Sequence, residues 1–226
     1  MINIAIDGYA GSGKGELCKG LAKKLNLKHL DTGAILRAMG LYFARLNIED
    51  FTQDIIDKYI KTFEVRVDFD GDKQITLLNR EDVSKEIRTE KIGGLASKLA
   101  IYPEAMTKMN NISREFAENY DCVIDGRNIT SEVLPNADVK FFLDASIECR
   151  ANRRLQDDYR RGIQTTYAEV LESLQKRDYR DTHREFSKMV VTHDSIVVDN
   201  TNMTIPQTIE HCYNLAVEKL TELGKL

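Results

Sequence analysis

Hydrophobic and polar positions change period several times along the chain, and each change marks a different element. Met1–Asp7 is largely apolar and closes on a carboxylate, the pattern of a buried parallel strand. From Lys14 to Leu25 the residues Leu17, Leu21 and Leu25 recur at helical spacing. Asp31–Leu46, directly after a short strand, carries Ile35, Met39, Tyr42 and Leu46 along one side and predicts a second helix. A further helix is predicted over Asp54–Lys61. The period then drops to two: Val65, Val67 and Phe69 alternate with Arg66 and Asp68, D-G-D follows at Asp70–Asp72, and K-Q-I-T-L-L resumes the run. That is the pattern of an antiparallel hairpin around a D-G turn. Helical character returns over Lys91–Tyr120. Cys122–Asp125 and Val139–Asp144 read as short strands, and Ile147–Arg161 and Thr166–Phe186 as charged helices separated near Gly162. Ser195–Asp199 is the last predicted strand, and Ile205–Leu223 a closing amphipathic helix.

Strands alternating with helices predict an α/β chain with a parallel sheet, and the hairpin, roughly Thr62 to Arg88, reads as an insertion into it. The length of 226 residues fits one generous α/β domain with such an insert. With 42% hydrophobic and 30% charged residues the chain can bury a real core. Its net charge of −4 offers no global basic field for nucleic acid. No apolar run approaches the length of a membrane span, and the N-terminus shows no basic leader. Cys18, Cys122, Cys149 and Cys212 are widely spaced and form no C-x-x-C pair, as expected of reduced thiols in a cytoplasmic protein.

The first candidate chemistry lies between the opening strand and its helix. Gly8-Tyr9-Ala10-Gly11-Ser12-Gly13-Lys14 fits G-x-x-x-x-G-K, and with Gly15 and Glu16 it forms the predicted ATP-binding loop. Glycines let successive N–H groups turn toward phosphate oxygens, the helix N-terminus adds its dipole, and Lys14 reaches the β- and γ-phosphates. Gly15 stands where a hydroxyl usually contacts Mg²⁺, and Glu16 supplies none either. The expectation is therefore Mg²⁺ carried on ATP oxygens and water, with no direct protein ligand and with Asp7 or Asp125 as outer-shell acceptors. Capping a loop is the other reading of Asp7.

Three further clusters concentrate charge. They are D-T-G-A-I-L-R (Asp31–Arg37), I-D-G-R-N (Ile124–Asn128) and K-R-D-Y-R-D-T-H-R (Lys176–Arg184). The first two end or follow strands, where open α/β sheets hold ligands. In the third, Arg177, Asp181 and Arg184 are spaced i, i+4, i+7 and are predicted to share one helix face. Arg37 read alone is a surface charge, and the run from Lys176 read alone is a solvated helix face. Together with the loop, they point to guanidinium groups gathered around more than one phosphate-bearing ligand.

These motifs, with E-D-V-S-K-E-I-R-T at Glu81–Thr89 and L-P-N-A-D-V-K-F-F-L-D-A-S from Leu134, resemble the bacterial cytidylate kinases almost end to end. The resemblance implies a P-loop NTPase-like parallel sheet flanked by helices, a small antiparallel β insert and a short helical lid. It divides the chain into a core (1–32, 89–149 and 165–226), a monophosphate-binding region (33–88) and a lid (about 150–164). It implies an ATP-dependent kinase that phosphorylates CMP or dCMP, acting as a monomer without nucleic acid or membrane. Position by position, Arg37, Arg127 and Arg184 are implied to hold the monophosphate, and Arg177 and Asp181 the phosphate or ribose. Thr32 stands near the nucleotide, Asp125 lines the acceptor site, and Arg153 and Arg154 close over the transferring phosphate, while Arg150 is structural. Lys14, Arg127, Arg153, Arg154 and Arg184 make up the implied catalytic set.

The chain departs from the family where the base is read. Ser97 matches the family's serine, but Met106 stands for its arginine and Asn128 for its aspartate. Tyr9 also replaces a common proline, and Leu36 a common tyrosine. Selection between CMP and UMP is therefore expected to be looser. The alternatives are a kinase of the same fold acting on UMP, AMP or another small acceptor, and a nucleotide-binding module without turnover. An acceptor panel separates them.

Overall fold

The opening apolar run is β1 (Asn3–Gly8), and the computed structural model, which describes residues 1–226, continues with α1 (Lys14–Leu25), β2 (Lys28–Asp31), α2 (Thr32–Arg45) and α3 (Gln53–Tyr59). The insert follows as β3 (Val65–Asp70), β4 (Lys73–Leu78) and the short β5 (Glu81–Asp82). Then come α4 (Glu90–Leu99), α5 (Pro103–Asn119), β6 (Cys122–Asp125), β7 (Val139–Asp144), α6 (Ile147–Arg160), α7 (Tyr167–His183), β8 (Ile196–Asp199) and α8 (Ile205–Glu222).

β1 runs down the centre of a five-stranded sheet in the order β2-β6-β1-β7-β8, all pairs parallel. Such a strand is covered on both faces, which is why it reads as a continuous apolar run. On one face Leu17 and Leu21 of α1 and Cys212 and Leu220 of α8 pack against Ile4, Ile6, Val123 and Phe141. On the other, Ile35 of α2 and Met109 and Phe116 of α5 pack against Ala5, Leu30 and Ile124. The register aligns Ile6 with Asp125, Asp31 with Asp125 and Gly8 with Leu143, so the carboxyl ends of the central strands open at one edge. In an open α/β sheet that edge is where ligands bind.

A second core joins the insert to the helices. Met39 and Phe43 of α2, Ile56 of α3, Leu95 of α4, Phe63, Leu78 and Val83 form one cluster. Fully burying a side chain such as Phe43 or Phe63 contributes about 1.5–3 kcal/mol. The hairpin turns at Gly71, where φ is 58°, and its tip reaches the edge of the main sheet. Lys28 Nζ donates to Gly71 O at 3.1 Å, and the Asp31 N–H donates to Gln74 Oε1 at 2.8 Å.

Three expectations are corrected in detail, and one element is added. The helical stretch over Lys91–Tyr120 is two helices: Tyr102 is extended (φ −92°, ψ 122°) because Pro103, at the start of α5, disfavours a helical residue before it. Asp31 lies outside α2 and caps it, accepting from the Ala34 N–H at 3.0 Å. α7 ends at His183, and Arg184 is extended (φ −62°, ψ 149°), so Arg184 leaves the helix face it was predicted to share with Arg177 and Asp181. A wide helical turn over Ile129–Val133 was not foreseen; there Val133 N bonds Asn128 O and Leu134 N bonds Ile129 O, an i to i+5 pattern.

α6 and α7 form an antiparallel pair turned at Gly162 (φ 74°), and α7 opens with a capping box between Thr166 and Glu169. Their shared apolar residues Ala151, Val170 and Leu174 pack on Ala10 of the glycine-rich loop. No helix is long and apolar enough to cross a membrane.

Candidate active site

The glycine-rich loop wraps the start of α1. A Cβ on Gly8 would strike the Leu143 carbonyl, and Gly13 caps α1 at φ 94° in the left-handed region. Lys14 is 6% exposed and folds back over the loop, its Nζ donating to Gly8 O and Tyr9 O at 2.7 Å each. Burial, with Arg127 and Arg177 nearby, holds the Lys14 ammonium well below the usual lysine range. Ser12 is fully buried, and its hydroxyl donates to Tyr9 O at 2.9 Å. Tyr9 packs edge-on against Phe142 (5.6 Å between ring centroids), and the Arg150 guanidinium lies 4.9 Å over its ring. Arg150 also donates to Ala145 O and Ala10 O and pairs with Asp178 at 2.6 Å, tying α6, α7 and the loop together.

Cations converge beside this loop. Arg127 follows β6, donates from Nε to Asp181 at 2.8 Å and turns Nη1 to Gly126 O. Arg177 lies 3.8 Å from the same Asp181 oxygen. The Arg127 guanidinium, more than burial, depresses the Arg177 pKa to about 10, a consequence of two cations held side by side. Arg184 reaches only Ala100 O, at a long 3.4 Å. Its Nε and Nη2 are buried and unpaired, and burial lowers its pKa. Buried donors without partners are costly in a native fold, so a cluster of them on arginines marks a place for an anion.

Arg37, on α2, has Asp31, Arg88 and Asp125 as its charged neighbours. Its Nη2 pairs with Asp31 at 2.9 Å, while its Nε is buried and unpaired. Arg88, on the exposed edge of the insert, meets the same Asp31 oxygen at 3.0 Å. Burial opposes ionisation of Asp31, but Arg37, Arg88 and His29 outweigh it and hold the carboxyl below its usual range. Thr32 is buried and donates to Asp125 O at 2.7 Å. The Asp125 carboxylate is hydrogen-bonded to His29 Nε2 at 2.8 Å.

Asp7 is taken up by the turn after β6. It is fully buried, and its carboxylate accepts from Ile129 N (3.0 Å), Thr130 N (2.8 Å) and Thr130 Oγ1 (2.6 Å), capping the wide turn. Burial nevertheless raises its pKa, against the pull of those donors. Cys18, His29 and Asp125 bring ligand atoms within 4.8 Å of one another. Burial, reinforced by Asp125, pushes the Cys18 thiol well up, which disfavours the thiolate a metal needs. Gly15 lies open, with nothing near its Cβ position, and the Glu16 carboxylate is paired with Lys19 at the surface.

The two arginines expected to close over the phosphate have different partners. Arg153 donates to Ser12 O, Asn200 Oδ1, Asn200 O and Met203 O, which fastens the loop after β8 to the glycine-rich loop. Arg154 is exposed and pairs along α6 with Asp158 at 3.1 Å. Ser97 lies partly buried on α4, Met106 is 2% exposed on α5, and Asn128 is 1% exposed at the start of the wide turn. Sequence reasoning missed Arg88, although E-D-V-S-K-E-I-R-T was noted as a motif. It also missed His29, Glu132 and Ser187, which no local pattern marks.

The family model described as cytidylate kinase matches residues 4–218. A cytidylate kinase of Thermosipho melanesiensis is 39% identical over 216 residues, covering 96% of this chain and 97% of that one. Another, from Caldicellulosiruptor saccharolyticus, is 36% identical over 214 residues and covers 95% of both chains. Among solved structures, an uncharacterized protein from Eubacterium ventriosum aligns with a TM-score of 0.55 at 15% identity, covering 96% of this chain and 99% of that one.

Proposed function

The chain belongs to the cytidylate kinase family, and on that premise we propose that it transfers the γ-phosphoryl group of ATP to CMP or dCMP, giving CDP or dCDP. The observation that carries this reading is the pair of buried, unpaired guanidinium nitrogens on Arg184, beside Arg127 with Arg177 and Lys14, together with the unpaired Nε of Arg37, which faces Asp31 and Asp125. Binding one nucleotide would not require so many cations in one corner. Bringing together two phosphate-bearing substrates does.

Phosphoryl transfer asks little covalent help from a protein; it asks for alignment and for neutralisation of charge on the transferring group. In this reading the Gly8–Glu16 loop holds the ATP phosphates, and Lys14 exchanges its carbonyl partners for phosphate oxygens. Arg37 and Arg184 hold the acceptor phosphate with their free nitrogens. Arg127, kept in place by Asp181, stands between the two phosphates with Arg177 beside it. Arg154 can leave its surface pair with Asp158 and close on the site as α6 and α7 move, excluding water. Arg153 keeps the loop and the Asn200–Met203 segment together. Core, monophosphate region (33–88) and lid (150–164) divide the work along those lines.

A Mg²⁺ ion fits the residues present only as a companion of ATP. The loop offers no hydroxyl at Gly15 or Glu16, and Asp7 is taken up by Ile129 and Thr130. Asp125 therefore remains the outer-shell acceptor, since His29 holds one of its oxygens. Bound with ATP, the ion would offset charge on the phosphates. The reading also places the enzyme in the cytoplasm as a monomer with reduced thiols; the four cysteines form no disulfide.

Lys14→Ala tests the core of the proposal. Removing a charge that burial already disfavours should leave the melting temperature unchanged or higher, while kcat falls by roughly 10²–10³. Turnover near that of the unaltered protein would remove the loop lysine from the mechanism.

A further inference from the structure

Phosphate transfer leaves one polar corner beside Arg184 without a role. Asn128 Nδ2 donates to Asn110 Oδ1 at 3.2 Å and to Glu132 Oε2 at 3.1 Å. Asn110 Nδ2 approaches the same glutamate oxygen at 3.4 Å, and Ser187 Oγ at 2.8 Å. Three segments thus converge on Glu132 Oε2: α5, the wide turn and the loop after α7. Ser187 is 2% exposed at φ 51°, and two residues on Met189 N donates to Asp181 O at 2.8 Å. The loop is shaped to deliver that hydroxyl. No protein donor meets Glu132 Oε1, and the side chain is only partly buried.

The corner adjoins the acceptor cations. The Glu132 carboxylate lies close enough to Arg184 to favour that guanidinium's charged form. Met106 and Asn110 are i and i+4 on α5 and both buried, so the polar network borders the core that Met106 joins. A fixed carboxylate with one free oxygen, near a phosphate clamp, is a place for the edge of a base.

We propose that Glu132 selects the base: its free Oε1 accepts the exocyclic amino group of the acceptor's pyrimidine, with Asn128, Asn110 and Ser187 holding the carboxylate in position. The inference rests on the kinase reading above and adds the group that reads the substrate. An ionised carboxylate accepts hydrogen bonds and donates none, so an amino group is favoured and a carbonyl oxygen at the same place is repelled. The amide at Asn128 then has a different task from reading the base. It turns both hydrogens inward, and the negative charge sits four residues further along the turn. Looser selection between CMP and UMP, expected from Asn128 and Met106 alone, gives way to a retained preference for CMP.

The test is the ratio of kcat/KM for CMP over UMP in the full chain with ATP and Mg²⁺. The unaltered protein should favour CMP by at least tenfold, and Glu132→Gln should lower the ratio by at least tenfold, equivalent to about 1.4 kcal/mol of discrimination. A glutamate that only clamps Ser187, and through it the Arg184 loop, would weaken both acceptors alike and leave the ratio unchanged, which overturns the proposal. Asn128→Asp added to Glu132→Gln returns a carboxylate to the corner and should recover the preference; a double variant as unselective as the single one also overturns it. If Glu132→Gln does not fold, Glu132→Asp, which withdraws the carboxylate by one methylene, should lower the ratio in the same direction. Equal use of CMP and UMP by the unaltered protein refutes the base-reading role and leaves the kinase reading standing, whereas no turnover with any monophosphate removes both.

Discussion

Arg184 shows how much a single residue can carry at this site. Its guanidinium is buried with Nε and Nη2 unpaired, and its one hydrogen bond, to Ala100 O, is long. Such an arrangement costs free energy unless an anion repays it, because each unmet buried donor is worth about 1–3 kcal/mol. Arg184→Ala should therefore stabilise the free protein or leave it unchanged. The same substitution should raise the KM for the monophosphate by at least about tenfold and lower kcat, since the clamp acts on a group present in ground and transition states. Steady-state kinetics with CMP varied, alongside a thermal melt, checks both halves; unchanged constants would remove Arg184 from acceptor binding. The motif pointed to a phosphate-binding role for it, but not to its position. The i, i+4, i+7 spacing placed it on one face with Arg177 and Asp181, whereas α7 stops at His183 and the extended backbone at Arg184 turns it toward α4.

Among the elements, the wide turn over Ile129–Val133 connects the sheet to the site. Its first N–H groups have no partner within the turn, and Asp7, at the end of the central strand, supplies one through each oxygen. That capping holds Arg127, Asn128 and Glu132 in fixed relation to the glycine-rich loop one residue after Asp7. In Asp7→Asn the amide nitrogen would face donors it cannot accept from, and at least one buried N–H loses its acceptor. We expect a loss of about 1–3 kcal/mol in a urea melt, together with weakened acceptor binding. An unchanged melting midpoint would mean the turn is held by its packing alone. The strands and long helices were readable because their periods are set locally by burial. The turn was not, because an i to i+5 ladder capped by a residue 122 positions away leaves no local pattern. Arg88 escaped notice for the same reason: its partner Asp31 lies across the insert.

At the scale of the molecule, two cores divide the labour. One holds the parallel sheet between α1 and α8 on one side and α2 and α5 on the other; the second fixes the insert to α2, α3 and α4. The carboxyl ends of the strands and the α6–α7 pair bring Lys14, Arg127, Arg177, Arg184 and Glu132 near one another. The glycine-rich loop and the arginine motifs could be read from the sequence because each is contiguous. The partners that orient them come from distant segments: Asp181 for Arg127, Asn200 for Arg153, and Glu132 for Asn128. The central claim is transfer of phosphate from ATP to a cytosine monophosphate. Its most direct measurement follows diphosphate and ADP formation from ATP and Mg²⁺ with CMP, dCMP, UMP, AMP and GMP offered separately. The account predicts that CMP or dCMP gives the highest kcat/KM, with ADP and the nucleoside diphosphate formed in equal amounts; no diphosphate from any of the five acceptors would contradict it.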